Sequence, residues 1–212
     1  MFVVFSLIAI LFFAFAQYWA LAIAPPEKWM GDVYRILFVH VPAAWNALLM
    51  LSVSFVASIL YLIKRKPFYD RLAASSSEVG VVLTGLTLML GSIWGKPTWG
   101  VWWTWDPRLT TTAILFLLYM GYQILRRLID DAEQRAKISA ALGTMIFLNV
   151  PIVYFSVKWW RTLHQLQSSP QTVAPEMVLP LRLNAFAILG LALIFLWMRM
   201  RIARLESQKE EQ

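Results

Sequence analysis

The chain has 212 residues, of which 59% are apolar and only 15% are charged. Soluble domains are nearer half apolar and a quarter charged, so this composition excludes a disordered chain, a coiled coil and an ordinary soluble domain. The absence of cysteine excludes a disulfide scaffold and a thiolate metal site. The formal net charge of +7 is compatible with nucleic-acid binding, but in so apolar a chain it is more typical of basic cytoplasmic loops.

Apolar stretches without charged residues recur along the chain, and most are long enough for a bilayer core of about 30 Å. Because a backbone in lipid must satisfy its own hydrogen bonds, such stretches form helices. We therefore predict an all-α polytopic membrane protein with six transmembrane helices in a single domain, residues 1–212. A cleaved signal ending at Ala22-Ile23-Ala24 is an alternative for the first stretch, but no basic residue precedes it. The stretches are residues 2–23, 36–63, 79–95, 109–125, 138–157 and 183–198.

The basic residues predict how these helices are oriented. Most of the 19 Lys and Arg residues lie in the second and fourth connections and in the C-terminal tail. Since cytoplasmic loops carry the excess of positive charge, both termini are expected in the cytoplasm. The connections at about 24–43, 95–108 and 158–181 are then expected on the outer face.

Local signals suggest helix boundaries and packing faces. Ser75 and Glu78 have the spacing of a capping box at the start of the third helix. Asp106, followed by proline, is typical of an N-cap before the fourth helix. Gly91 and Gly95 have the spacing of closely packed helices. Three amides near or within the spans are expected to face other helices: Asn46, Asn149 and Asn184.

Tryptophan is concentrated on the predicted outer face, and of eleven tryptophans only Trp197 lies at the inner face. An aromatic belt would place tryptophan at both interfaces, so the loop at about 94–108 favours an apolar platform for a large flat ligand. The belt stays an alternative, and Asp106 could act only as a helix cap. The candidate binding residues in this loop are Trp99, Gly100, Trp102, Trp103, Trp105 and Asp106.

The two histidines both lie on the predicted outer face, His40 early in the second helix and His164 after the fifth. If the segment after the fifth helix is helical, Trp160 and His164 share a face. Each histidine alone could be an ordinary hydrogen-bonded interfacial residue, but two of them flanking a tryptophan loop suit a porphyrin held between imidazoles. Arg35 and Arg108 are candidates for its propionates, unless they only reach toward lipid phosphate.

Residues 99–106, W-G-x-x-W-x-W-D, resemble the signature of the WWD superfamily of haem-handling proteins in cytochrome c biogenesis. Within it, the length, the six-helix plan and the segment from Arg35 to Trp45 are similar to the cytochrome c maturation protein C (CcmC) family. The resemblance covers almost the whole chain. It implies that His40 and His164 are the axial ligands of a non-covalent haem b, and that the tryptophan loop with Asp106 forms the platform for haem and chaperone.

The resemblance also implies a function. The protein would bind haem at the outer face and deliver it to the haem chaperone CcmE, in a complex with the ABC transporter pair CcmA and CcmB and with CcmD. The expected location is the bacterial inner membrane with the site facing the periplasm, the mitochondrial inner membrane being an alternative. No nucleophile, acid–base pair or GxxxxGK[ST] loop is evident, so we predict a haem-handling protein and not an enzyme. Two rivals stay open: a haem-translocating subunit, and a structural anchor without haem.

Overall fold

The computed structural model describes residues 2–165 and 172–210, and these are almost entirely helical. The first helix continues into a π-helical turn, Trp19–Ile23, and a 3-10 turn, Asp32–Ile36, leads into the second. Within these residues β-pairing is limited to one isolated antiparallel bridge between Glu27 and Gly31. The helices are α1 (Phe2–Tyr18), α2 (Leu37–Lys64), α3 (Pro67–Trp99), α4 (Pro107–Leu128), α5 (Ala132–Ile146), α6 (Asn149–Trp159) and α7 (Pro175–Glu210).

Helices α2 and α3 form the centre of the bundle and pack against each other more extensively than any other pair. On one side α7 packs on α2 and α3, and α1 packs on α7; on the other side lie α4, α5 and α6. The ring of Phe2 stacks on that of Trp197 with centroids 3.7 Å apart, so the start of α1 and the last part of α7 lie at one end. We call this the basic end. The opposite end, where α3 ends at Trp99 and α4 begins at Pro107, is called the cavity end after the cavity described below.

Helix α3 is much longer than predicted, and the capping box expected at Ser75 and Glu78 is wrong. The helix begins at Pro67, whose fixed φ and missing N–H suit a first helical position. Ser75 is buried within the helix and Glu78 pairs with Arg199 of α7. The neighbouring Ser76 tolerates the helix interior because its hydroxyl donates to the carbonyl oxygen of Leu72 at 2.6 Å.

The predicted start of the fourth helix is confirmed, whereas the predicted fifth helix is interrupted. The Asp106 carboxylate accepts a hydrogen bond from the Arg108 amide at 2.9 Å, and α4 begins at Pro107. Between α5 and α6 the amide of Val150 donates to the carbonyl of Phe147, three residues back, at 2.9 Å. Pro151 removes a helical N–H and crowds the carbonyl four residues earlier, which accounts for the break.

The expectation that the three asparagine amides near or within the spans face other helices is confirmed. Asn46 on α2 donates to the carbonyl of Ala185 on α7 at 3.1 Å. Asn149 donates to the carbonyl of Thr111 on α4 at 3.0 Å. The amide of Asn184 is fully buried and bonds to Gln17 of α1. Each of these bonds joins two different helices.

Five helical segments among the described residues are long and apolar enough to cross a membrane. They are Phe2–Ile23, Asp32–Lys64, Pro67–Trp99, Ala132–Trp159 and Pro175–Gln208. The prediction of an all-α membrane protein is confirmed at this level. The remaining predicted crossing forms α4, which has 22 residues but carries Arg108, Gln123 and Arg126 and is not one of the five. The count of six crossings stays a prediction.

The ion pair of Arg126 with Asp70 joins α4 to α3 at the basic end through two hydrogen bonds of 2.7 and 2.9 Å. Both side chains are largely buried, so removing one partner leaves an uncompensated charge. We expect Arg126→Met to cost roughly 3–5 kcal/mol of stability, and Arg126→Met with Asp70→Leu to recover most of it. Thermal unfolding in detergent measures both, with the exposed neighbour Arg127→Met as the control. Equal losses in the single and double variants would contradict this account.

Candidate functional site

A cavity of about 1140 Å³, counted with its open mouth, lies at the cavity end between α2, α3, α4, α6 and the residues that follow α6. Its walls are mainly aliphatic and aromatic, with few polar groups, as in small-molecule binding sites generally. Of the residues selected from the sequence, those that line it are His40, Trp99, Trp103, Arg108 and His164. The other candidate site residues do not line the cavity; they are Arg35, Gly100, Trp102, Trp105 and Asp106.

His40 projects into the cavity from the first turns of α2 and is 8% exposed. Its ring packs against Gly91 of α3, where an added Cβ would lie 3.0 Å from Cε1 of the imidazole. The close packing of α2 on α3 therefore depends on a glycine at this point. Nδ1 of His40 is buried and has no hydrogen-bond partner among the described residues.

His164 reaches the cavity from an irregular segment, and the helix considered for this region is wrong. Helix α6 ends at Trp159, and residues 160–165 are not helical, so Trp160 and His164 do not share a helix face. Instead the ring of Trp99 packs edgewise on His164 with centroids 6.3 Å apart. Nδ1 of His164 lies 3.1 Å from the carbonyl oxygen of Gln165. With the proton on Nδ1, the lone pair of Nε2 is free to bind a metal.

The surroundings of His164 keep it neutral. Burial lowers the pKa of its imidazole, the Gln165 carbonyl raises it, the Arg108 guanidinium lowers it and the Asp106 carboxylate raises it. The net pKa is below the ordinary value of 6.5. At pH 7 the ring is therefore in the deprotonated form that a metal requires.

The irregular part of the tryptophan loop is shorter than predicted, because α3 continues to Trp99 and only residues 100–106 leave the helix. Gly100 ends α3 with a φ of +79°, which glycine adopts without strain. Trp102 and Trp105 are 57% and 82% exposed and do not line the cavity. The four candidate tryptophans of the loop thus divide into Trp99 and Trp103, which line the cavity, and Trp102 and Trp105, which face outward.

Asp106 is buried, at 6% exposure, and lies beside the cavity without lining it. Burial alone would raise the pKa of its carboxyl, but hydrogen bonds from Thr162, Leu163 and Arg108 lower it below the ordinary value of 3.8. The carboxylate is therefore charged at neutral pH. Its partners belong to the segment that carries His164 and to the first turn of α4.

The two candidate arginines have different surroundings. Arg108 lines the cavity, donates to the carbonyl of Tyr154 at 3.0 Å, and keeps Nε buried without a partner among the described residues. Arg35 does not line the cavity: its Nε lies 2.8 Å from an Asp32 carboxylate oxygen, and it also donates to the carbonyl of Ala20. Only Arg108 is therefore brought together with the histidines.

Several residues of the cavity wall are not among the site residues predicted from the sequence. They include Trp45, Thr84, Thr87, Tyr154 and Gln165. Trp45 follows His40 by five residues on α2, and such positions do not share a helix face, so helical spacing from His40 does not identify it. The others lack a chemical signal of their own and could not have been singled out.

Two imidazoles, four indoles and one guanidinium line a mainly apolar cavity at one end of the helical bundle. Together with the long apolar helices, they define the class as integral membrane proteins with a histidine-bearing, aromatic cavity. The whole chain, residues 1–212, matches the family of Heme exporter protein C. It is similar to Heme exporter protein C of Bradyrhizobium diazoefficiens (38% identity, 86% of this chain and 72% of the relative). It is also similar to Heme exporter protein C of Escherichia coli K12 (37%, 86% and 75%).

A third relative is the putative cytochrome c biosynthesis ccmC-like mitochondrial protein of Marchantia polymorpha (37% identity, 79% of this chain and 72% of the relative). The chain belongs to the haem exporter protein C (CcmC) family. It is thus an integral membrane protein of haem handling in cytochrome c maturation, and its family is not a catalytic one. The expected family and the expected class of function are confirmed.

The depressed pKa of His164 predicts a titration that can be observed directly, since the protein has only two histidines. In His40→Ala, the NMR signals of the remaining ring are expected to titrate with a midpoint below 6.5. Because the unfolded chain binds this proton more readily than the fold, stability should decrease as the pH falls below 6.5. A midpoint at or above 6.5 would contradict the assigned surroundings of the ring.

Proposed function

We propose that this chain binds haem as its cargo in the cavity at the cavity end, with His40 and His164 as the two iron ligands. One observation carries the proposal. The two histidines lie far apart in the sequence, on α2 and after α6, and both line the same cavity. In a chain with only these two histidines, this convergence is the arrangement that a bis-imidazole site requires.

The cavity wall suits the other parts of a haem molecule. The apolar macrocycle can be buried against Trp99 and Trp103, which offer large flat surfaces with little side-chain freedom to lose. The buried Nε of Arg108 is a donor for a propionate, and a bond to a carboxylate would satisfy it. Arg35 is a weaker candidate because Asp32 already engages it. The ligand set therefore fits non-covalent haem b.

The site is proposed to face the periplasm from the bacterial inner membrane, with six crossings and both termini in the cytoplasm. Helix α4 supports the sixth crossing, because Arg108 near its start lines the cavity while Arg126 near its end pairs with Asp70 at the basic end. It runs the full height of the bundle beside α3. The excess of positive charge at the basic end supports a cytoplasmic location for that end.

Delivery to the chaperone CcmE is the proposed outcome of binding. Trp102 and Trp105 are exposed next to the cavity and offer an aromatic surface for a partner. A haem held immobile presents one edge to the incoming chaperone, so that the reacting groups meet in a fixed geometry. The whole chain, as one domain, would do this within a complex with CcmA, CcmB and CcmD, and any ATP hydrolysis would come from a partner.

Absorption spectra of purified protein test the proposal. The parent chain loaded with haem should give a six-coordinate, low-spin spectrum. His40→Ala and His164→Ala should each shift it toward a five-coordinate, high-spin form, because one axial ligand is lost, and the double variant should retain little haem. Trp29→Phe, far from the cavity wall and exposed, is the control. A parent without a Soret band would overturn the proposal in favour of a structural anchor. Spectra unchanged in both single variants would show that His40 and His164 are not the iron ligands.

The contact between Gly91 and His40 generates a second test. Gly91→Ala would place a methyl group 3.0 Å from Cε1 of the imidazole, so the ring must move from its place against α3. Since loss of the contacts that orient a metal ligand costs about 10–100-fold in affinity, haem binding should weaken by about tenfold. Haem titration measures the effect. The matched control is Gly121→Ala, where an added Cβ meets no atom within 4 Å, and equal affinities in the two variants would refute the role of Gly91.

A further inference from the structure

The Asp106 carboxylate connects three parts of the cavity end. Oδ1 accepts a hydrogen bond from the amide of Arg108 at 2.9 Å, which caps α4. Oδ2 accepts from the hydroxyl of Thr162 at 2.6 Å and from the amide of Leu163 at 2.7 Å. The two donors to Oδ2 are separated from Asp106 by 56 and 57 positions in the chain. The carboxylate therefore does more than cap a helix.

Thr162 extends this connection to His164. Its hydroxyl oxygen donates to Asp106 and accepts from the amide of His164 at 2.9 Å. Two hydrogen bonds thus join the Asp106 carboxylate to the backbone of His164. Because residues 160–165 form no helix, their conformation depends on such side-chain bonds.

We propose that Asp106 is a positioning residue that fixes the backbone of His164, and so its imidazole, at the cavity wall. This inference rests on the proposed function, since the position of His164 matters there as a ligand of haem iron. Asp106 is 6% exposed and does not line the cavity, so it acts through His164 and not by touching haem or a partner. Trp105 precedes it directly, and the exposed tryptophan loop and the histidine segment are thereby held as one unit.

The choice of substitutions separates this role from helix capping. Asn is as good an N-cap as Asp, but it has one acceptor oxygen and no charge, so Asp106→Asn keeps the cap and weakens the bonds to Thr162 and Leu163. Thr162→Val removes the bridging hydroxyl with little change in shape, and Thr162→Ser retains it. Asp131→Asn is the matched control, because Asp131 caps α5 in the same way through the amide of Gln134 at 2.7 Å.

The first measurement needs no haem. The protein has no cysteine, so a nitroxide attached at Leu163→Cys is the only spin label, and the native side chain there is 60% exposed. The spectrum should be that of a restricted label in the parent, Thr162→Ser and Asp131→Asn backgrounds. It should gain a mobile component in Asp106→Asn and Thr162→Val. Unchanged label motion in both of these would overturn the proposal.

The second measurement uses haem. Asp106→Asn and Thr162→Val should each lower haem affinity about tenfold, the size expected for the loss of a hydrogen bond to a charged group, and added imidazole should restore the low-spin spectrum. In a His164→Ala background, Asp106→Asn should cause no further loss, because its effect passes through that histidine. A full additional loss would show direct contact with haem and overturn the proposal. A parent that binds no haem would instead refute the proposed function, while the label still decides whether Asp106 holds the segment.

Discussion

Polar contacts between apolar helices are the constraint on which this structure depends. In a lipid environment, one aliphatic helix face has little preference for another, so hydrogen bonds between helices help determine which faces meet. Asn46 and Asn184 join α7 to α2 and α1, and Asn149 joins α6 to α4. At the basic end the pair of Arg126 and Asp70 does the same for α4 and α3. These few contacts determine the arrangement of the helices whose ends enclose the cavity.

The cavity itself results from where helices end and break. Helix α5 packs on α2 and α4, whereas α6, after the break before Pro151, packs mainly on α4. Val153 and Tyr154 of α6 line the cavity together with residues of α2, α3 and α4. His40, Trp99 and Arg108 lie on helices, whereas Trp103 and His164 lie on irregular stretches beside them. The site therefore combines helical walls with irregular segments.

The sequence predicts the class of fold and the chemistry of the site because both depend on rare or periodic residues. Histidine is rare, with two residues, tryptophan is clustered on one predicted face, and Asp106-Pro107 is a strong local signal. The capping-box spacing at Ser75 predicts the wrong helix start, because α3 begins at Pro67, eight residues earlier. The charge of Arg35 predicts a contact with a haem propionate, but its guanidinium forms an ion pair with Asp32, three residues before it. The partners of Asp106 in the segment that carries His164 could not be inferred, since that contact depends on the assembled bundle and leaves no spacing in the sequence.

The division among Trp99, Trp102, Trp103 and Trp105 suits the proposed function, in which the protein holds a ligand and then passes it to a partner. Trp99 and Trp103 line the cavity, and Trp99 also contacts His164 edgewise. Trp102 and Trp105 remain exposed, and Trp105 packs on Trp103 with ring centroids 5.9 Å apart. The exposed rings are thus joined to the cavity wall by the contact of Trp105 with Trp103, and to the histidine segment by Asp106, which follows Trp105 in the chain. In the proposed function, the half-buried pair Trp99 and Trp103 would contact the ligand, and the exposed pair Trp102 and Trp105 would contact the partner.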